Sequence, residues 1–181
     1  MLDRILNFRE TFFWKFLLKI QKVILFFCTS ACVIILCTEA IFRQFRADLF
    51  GYEDILVVCS MWLYFLGASY AMYKKSHIDA DMVGIFVKSK KIQKGIKLFV
   101  SLFTTSVAIA LTIYAYEFFV WTLSKNATTT SLRIPLVYSQ SALFFGYLIL
   151  AFYSLVYFME DVIYTFTKRE RPKQIAGGDE Q

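Results

Sequence analysis

Four long apolar runs, separated by shorter polar and basic stretches, dominate the hydrophobic pattern of the chain. Each run holds roughly 20 residues or more, the length of helix that crosses about 30 Å of hydrocarbon. We therefore predict four transmembrane helices, at residues 23–42, 55–73, 98–121 and 136–159. A long basic stretch precedes the first run and no small-residue cleavage site follows it, so we expect a retained span and not a signal peptide.

The pattern predicts an all-α integral membrane protein. A single four-helix membrane domain is expected at residues 1–165, followed by a mobile cytoplasmic tail at residues 166–181. In residues 5–22 apolar side chains recur every three or four positions, which favours an amphipathic helix in the membrane interface. The alternative is that this stretch extends the first span. Residues 74–97 have similar spacing, and we expect a second short interfacial helix there, capped by Asp79.

Composition agrees with a membrane protein. The chain is 58% hydrophobic and 19% aromatic, and its mean hydropathy is +0.54. A net charge of +6 could suggest nucleic-acid binding. However, the lysines and arginines gather before the first span, between the second and third spans, and after the fourth. By the positive-inside rule, both termini are expected to be cytoplasmic, and no nucleic-acid partner is expected.

Candidate catalytic chemistry is sparse. The sequence holds no Ser/His/Asp arrangement, glycine-rich phosphate loop or Walker motif. The one histidine, His77, lies near Asp79 and Asp81, a pattern that suits a solvated loop better than a metal site. All four cysteines fall inside predicted spans, where packing is the simplest role. We expect no enzyme, no cofactor and no bound metal.

Acidic residues within the spans are the remaining candidates, because an ionisable group in hydrocarbon is costly. Glu39 lies about 10 Å from the middle of the first span by helical rise, and Arg43 follows one turn later. We predict that Glu39 and Arg43 form a structural pair, between helices or between subunits. Interfacial solvation, or a proton or ion site, are the alternatives for Glu39. Glu117 is placed similarly near the outer end of the third span, and Gly67 is predicted to allow close helix approach.

Several short sequence motifs occur in a characteristic order along the chain. They are Arg43 after span one; Glu53 and Asp54 opening span two; Trp62, Leu66, Gly67 and Ala68 within span two; His77, Ile78 and Asp81 after it; and Arg133, Ile134 and Pro135 before span four. Together they resemble the small membrane subunit of tripartite ATP-independent periplasmic (TRAP) transporters, the DctQ-type family. One departure is that Gly51 and Tyr52 precede the acidic pair, where the family often has a tryptophan.

The resemblance implies a non-catalytic subunit of a sodium-coupled uptake system in the bacterial inner membrane. Its expected partners are a large elevator-type membrane subunit (M type), a periplasmic binding protein (P type) and membrane lipids. The imported substrate would be an organic acid such as sialic acid or a C4-dicarboxylate, and the small subunit would brace the large one. The candidates for subunit-interface or structural roles are Glu39, Arg43, Gly67, Trp62, His77 and Asp81. The candidates for periplasmic docking are Arg46, Glu53, Asp54 and Arg133.

Two other classes of function stay open at this point. One is a self-sufficient homodimeric exporter of four-helix chains, in which Glu39 exchanges protons. The shallow depth of Glu39, its neighbour Arg43 and the long cytoplasmic connections disfavour it. The other is a membrane assembly or signalling factor that has no transport partner.

Overall fold

The structure is a computed structural model that describes residues 12–45, 50–75 and 90–167. Four helices make up most of it: α1 (Phe12–Gln44), α2 (Tyr52–Lys75), α3 (Lys90–Lys125) and α4 (Val137–Thr167). Each is long and apolar enough to cross a membrane, which confirms the all-α class and the four predicted spans. Apart from Leu136, which directly precedes α4, every residue of the predicted spans lies within one of these helices.

Three of the helices are much longer than a bilayer crossing requires, and one of them, α4, has 31 residues, about 46 Å. α1 has 33 residues and α3 has 36, or about 50 and 54 Å against about 30 Å of hydrocarbon. Since no glycine or proline interrupts α1, residues 12–22 continue into the first span as one helix, in agreement with the alternative to an interfacial helix. Residues 5–11, and most of the second predicted interfacial helix, lie outside the described residues.

The four helices pack as a row in the order α1, α2, α4, α3. α1 packs on α2, α2 on α4 and α4 on α3, whereas α3 has no extensive contact with α1 or α2. Neighbours in sequence are antiparallel, so α2 and α4 run parallel, side by side, at the centre of the row. An open row of this kind leaves much apolar surface uncovered, which lipid or a membrane partner can cover.

The most aromatic part of the core lies where α1 begins. Trp14 is only 2% exposed and its ring contacts Tyr73, Phe152 and Tyr153 at centroid distances of 6.1, 5.9 and 4.8 Å. These four residues come from α1, α2 and α4. The cluster therefore holds the first turns of α1 against both central helices.

A stripe of small and hydroxyl-bearing residues on α3 faces α4. The Thr105 hydroxyl lies 2.8 Å from the carbonyl of Ser101 in its own helix and 3.1 Å from that of Ser154 in α4. Thr112 repeats the arrangement with a carbonyl of its own helix at 2.7 Å and that of Tyr147 at 3.1 Å. Each hydroxyl has one hydrogen, which is shared between the two acceptors. These hydroxyls bring α3 and α4 into close backbone contact.

Candidate functional site

Asp54, in the first turn of α2, holds the loop that connects α3 to α4. Its Oδ2 accepts hydrogen bonds from the backbone N–H groups of Leu132, at 2.6 Å, and Ser131, at 3.2 Å. Hydrogen bonds to a charged acceptor are stronger than neutral ones. The side chain is only 7% exposed. Asp54 therefore has an intrachain role as the support of the loop, and its part in docking stays a prediction.

The loop that Asp54 holds is further fixed by its own backbone. Leu136 N–H donates to the carbonyl of Ala127 at 2.9 Å, and Thr129 N–H donates to that of Ile134 at 2.9 Å. Ile134 N–H in turn donates to the Thr129 hydroxyl at 2.9 Å. Within this frame Arg133 has φ +54°, a left-handed conformation that residues other than glycine rarely adopt. The loop therefore presents an exposed arginine from a defined backbone position.

Gly51 lets the loop approach the start of α2. It has φ +81°, and a Cβ atom added there would lie 2.6 Å from Cγ of Leu132. Both the backbone conformation and the space require glycine. Sequence reasoning treated Gly51 only as part of a departure from the family pattern, and the loop contact that explains it is not visible in the sequence.

The other docking candidates are distributed around this end of the row. Glu53 is exposed in the first turn of α2, beside buried Asp54. Arg133 is exposed on the loop that Asp54 holds. Arg46 lies outside the described residues. The structure thus brings Glu53 and Arg133 to the same end of the row.

Glu39 lies on the side of α1 that faces α2. The register of this contact is given by two side-chain pairs, Gln21 with Ser69 at 2.8 Å and Cys32 with Ser60 at 4.0 Å. As the two helices are antiparallel, seven further residues along α1 bring Glu39 beside the first turn of α2. This level agrees with the shallow depth predicted for Glu39.

The predicted ion pair between Glu39 and Arg43 is not formed within the chain. Oε2 of Glu39 is buried and has no hydrogen-bond partner among the residues that the structure describes. Arg43 is exposed in the last turn of α1. Glu39 is partly buried on the side of α1 that faces α2, whereas Arg43 is exposed. A pair across subunits stays a prediction.

Trp62 joins the two central helices. Its indole N–H donates to the carbonyl of Tyr138, at the start of α4, at 3.1 Å. Its ring also stacks on Phe145, with centroids 6.5 Å apart and planes at 19°. Both contacts lie inside this chain, so they support the structural role predicted for Trp62.

Within the described residues, a close approach of two helices occurs at Gly146. A Cβ atom added to Gly67 would have its nearest neighbour at 3.8 Å, the flexible end of Leu25, which is an ordinary van der Waals contact. A Cβ added to Gly146 in α4 would lie 2.4 Å from Cβ of Phe65 and 2.9 Å from its backbone carbonyl carbon. The tight crossing is between α2 and α4, whereas Gly67 faces α1, and a role of Gly67 in close helix approach stays a prediction.

A buried hydrogen-bond network was missed by sequence reasoning. The Gln21 side-chain amide donates to the Ser69 hydroxyl at 2.8 Å, and the Tyr153 phenol donates to the Gln21 amide oxygen at 3.0 Å. Each of the three side chains is at most 1% exposed. The network links α1, α2 and α4. In the sequence, Gln21 lies between Lys19 and Lys22, and this pattern predicts a solvated helix face and not a buried network.

A comparison with protein families gives one match over most of the chain. Residues 32–163 match the family described as tripartite ATP-independent periplasmic transporters, DctQ component. The chain belongs to the DctQ family. It is therefore a multi-pass membrane component of a TRAP transporter, the small membrane subunit. No curated protein matches the chain.

The match divides the contacts described above into two groups. Asp54, Trp62 and Gly146 lie within the stretch matched to the DctQ family. Trp14 and Gln21 precede it, so the anchoring of the first half of α1 is a feature of this DctQ chain outside the matched residues. His77 and Asp81, which contribute to the resemblance, lie outside the described residues.

Several polar side chains of this DctQ chain join one helix to another. Within the described ranges, no group of three His, Cys, Asp or Glu side chains is placed to hold a metal ion. Some buried hydroxyl and amide groups are directed to neighbouring helices; Thr122 of α3, for example, donates to the side-chain oxygen of Gln140 in α4. The chemistry of these side chains is that of structural contacts between helices.

Proposed function

We propose that this DctQ chain is the non-catalytic scaffold subunit of a sodium-coupled TRAP transporter. A P-type periplasmic binding protein delivers an organic acid, such as sialic acid or a C4-dicarboxylate, and the large M-type subunit carries it across the bacterial inner membrane. The small subunit braces the large one against movement in the membrane plane. Both of its termini lie on the cytoplasmic side.

The proposal rests on one observation: buried polar side chains form hydrogen bonds between helices. The network of Gln21, Ser69 and Tyr153 links α1, α2 and α4, and the hydroxyls of Thr105 and Thr112 link α3 to α4. In a bilayer, where apolar surface gives little drive for helices to associate, such bonds and close packing hold helices together. A unit joined in this way is suited to resist displacement.

Apolar faces at both edges of the row support a role beside another membrane protein. Phe26 and Phe27 of α1 are 68% and 66% exposed, and Phe99 and Phe103 of α3 are 70% and 65% exposed. Aromatic residues of this size give a wide contact surface for partner helices and for lipid. The large subunit would occupy part of this surface and lipid the remainder.

Docking of the binding protein is proposed at the end of the row where α2 begins. The loop held by Asp54 presents Arg133, and Glu53 is exposed beside it. A preorganised loop loses little conformational freedom on binding, which favours recognition. Arg46 and Asp54 belonged to the same docking prediction; Asp54 now serves as the support of the loop.

The proton-coupled exporter is disfavoured by the position of Glu39. Transport sites commonly lie near the bilayer midplane, whereas Glu39 lies beside the first turn of α2. Its buried oxygen faces an intrachain contact. We therefore retain the scaffold role as the single proposal.

Reconstitution tests the proposal. The chain, the large subunit and the binding protein are purified, and uptake of labelled sialic acid and of labelled C4-dicarboxylates is measured in liposomes under a sodium gradient. We expect a stable complex of the two membrane subunits, and uptake that needs all three proteins and sodium. Uptake by this chain alone, or full uptake by the large subunit without it, would contradict the proposal.

A charge substitution tests docking. We expect Arg133→Glu to raise the concentration of binding protein needed for half-maximal uptake by about fivefold, because loss of an interface charge slows association. Lys125→Glu, at the end of α3, is the matched control and is expected to change it less. An equal effect of both variants would indicate general electrostatics in place of a site at Arg133.

A further inference from the structure

Glu117 is a carboxylate on the uncovered face of an edge helix. α3 packs on α4 through the stripe that contains Thr105 and Thr112, and Glu117 lies on the opposite side, exposed. Its neighbours on that side, three residues before and four after, are Tyr114, 69% exposed, and Trp121, 53% exposed. The charge therefore stands in the middle of an aromatic surface.

The contacts of adjacent residues establish how deep Glu117 lies. The rings of Tyr116 and Phe119, on either side of it in sequence, are each 5.7 Å from the ring of Phe144 in α4. Phe144 is seven residues beyond Val137, where α4 begins. At helical rise this is about 10 Å inside the helix.

Contacts between α4 and the central helix α2 indicate a similar depth for Glu117. Phe145, next to Phe144, stacks on Trp62. Trp62 lies ten residues after Tyr52, where α2 begins. Trp62 is thus about 15 Å along a helix of about 36 Å. Glu117 consequently lies well inside the apolar layer and deeper than Glu39, although the sequence suggested that the two acids lie at similar depths.

The geometry of α3 makes it difficult for the carboxylate to reach water. The nearest end of α3 is Lys125, eight residues and about 12 Å further on. Side chains of an α-helix tilt toward its N-terminus, so the side chain of Glu117 starts away from that end. A charged group that neither reaches the interface nor lies against polar atoms is strongly disfavoured in hydrocarbon.

We propose that the face of α3 centred on Glu117 docks a transmembrane helix of the large subunit, and that this helix presents a cationic or other hydrogen-bond-donating side chain to the carboxylate. The inference rests on the proposed function, since it assigns a contact within that complex. Lipid tails have no hydrogen-bond donor for Glu117. A symmetric contact with a second copy would bring two carboxylates together, which like-charge repulsion opposes.

Substitution of the glutamate gives opposite predictions for the isolated chain and for the complex. Glu117→Leu removes a charge that lipid cannot solvate, so we expect the chain expressed alone to unfold at a higher temperature than the wild type. Because the partner's donor then loses its acceptor, we expect recovery of the complex with the large subunit to fall by about tenfold. Lys125→Leu, which removes an exposed charge at the end of the same helix, is the matched control and is expected to leave complex recovery unchanged.

Cross-linking identifies what covers the face. A photoreactive phenylalanine analogue replaces Tyr114 in the complex, in membranes containing both subunits. We expect a cross-link to the large subunit that is lost with Glu117→Leu. Cross-links only to lipid or to a second copy, while the two subunits still co-purify, would overturn the inference and leave the proposed function standing. Failure of the wild-type subunits to form any complex would instead overturn the proposed function and, with it, the inference.

Discussion

The Tyr153 phenol in α4 donates a hydrogen bond of 3.0 Å to the side-chain amide oxygen of Gln21 in α1. The two residues lie on helices at the two ends of the chain, and α2 lies between those helices in the row. Gln21 uses its amide nitrogen for Ser69 in α2 at the same time. One buried side chain thereby connects three helices within an apolar environment.

Loss of this connection should destabilise the chain. We expect Gln21→Leu and Tyr153→Phe each to lower the free energy of unfolding by about 1–2 kcal/mol, because each leaves a buried polar group without its partner. The measurement is denaturation in mixed detergent, followed by tryptophan fluorescence in a chain in which Trp62 and Trp121 are replaced by phenylalanine, so that the signal comes from Trp14, which contacts Tyr153. The double variant should lose clearly less than the sum of the two single effects. Additive effects would mean that the bond contributes nothing.

Removal of the Asp54 carboxylate should loosen the loop between α3 and α4. In Asp54→Ala the N–H groups of Ser131 and Leu132 lose their acceptor, so we expect their hydrogen exchange to accelerate by about tenfold or more. Exchange in the middle of α2 and α4 should stay as in the wild type. Glu53→Ala, which changes the adjacent exposed acid, serves as control. Equal exchange in the two variants would show that the carboxylate does not hold the loop.

Two glycines with the same substitution should give different results. Gly146→Ala places a methyl group against the backbone of Phe65, and we expect a loss of about 1–3 kcal/mol as α2 and α4 are forced apart. Gly67→Ala meets only ordinary contact distances. It should be neutral or stabilise by up to about 1 kcal/mol through better helix propensity. Thermal unfolding in the same detergent compares them, and a larger loss at Gly67 would contradict the helix packing described above.

We expect Glu39 to contribute to assembly of the complex and not to ion coupling. We expect Glu39→Gln to reduce the yield of complex with the large subunit, because a carboxylate bonds more strongly than an amide to a donor that the partner supplies. Uptake per assembled complex should stay within about twofold of the wild type, a difference of under about 0.5 kcal/mol in the barrier. Sodium-dependent uptake normalised to complex in liposomes provides the measurement. Intact complexes without uptake would assign Glu39 to ion coupling instead.

The four helices could be predicted from the sequence because length and apolarity decide them almost alone. A backbone in hydrocarbon must satisfy its own hydrogen bonds, so each apolar run of sufficient length becomes a helix. The same reasoning placed Glu39 at shallow depth, which the register of α1 on α2 supports.

The pairing of helices and the roles of single residues required the structure. Gly67 and Gly146 are both glycines within predicted spans. Only the crossing of α2 with α4 shows that Gly146, and not Gly67, lies against another helix backbone. Glu53 and Asp54 are adjacent acids, yet a helical turn directs one outward and the other to the loop. Gln21 lies in a lysine-rich stretch and is nevertheless buried. Each outcome depends on a neighbour distant in sequence, which local pattern cannot supply.

The order of the row has a consequence for biosynthesis. Neighbours in sequence usually become neighbours in space, but among the four described helices α3 has its extensive contacts with α4, which is synthesised after it. During synthesis the hairpin of α1 and α2 can form early. α3, in contrast, enters the membrane before α4, the helix on which it packs, has been made. A ribosome that stalls before residue 137 would release a chain whose third helix has nothing of its own to pack against, and we expect such a fragment to be cleared by membrane proteases.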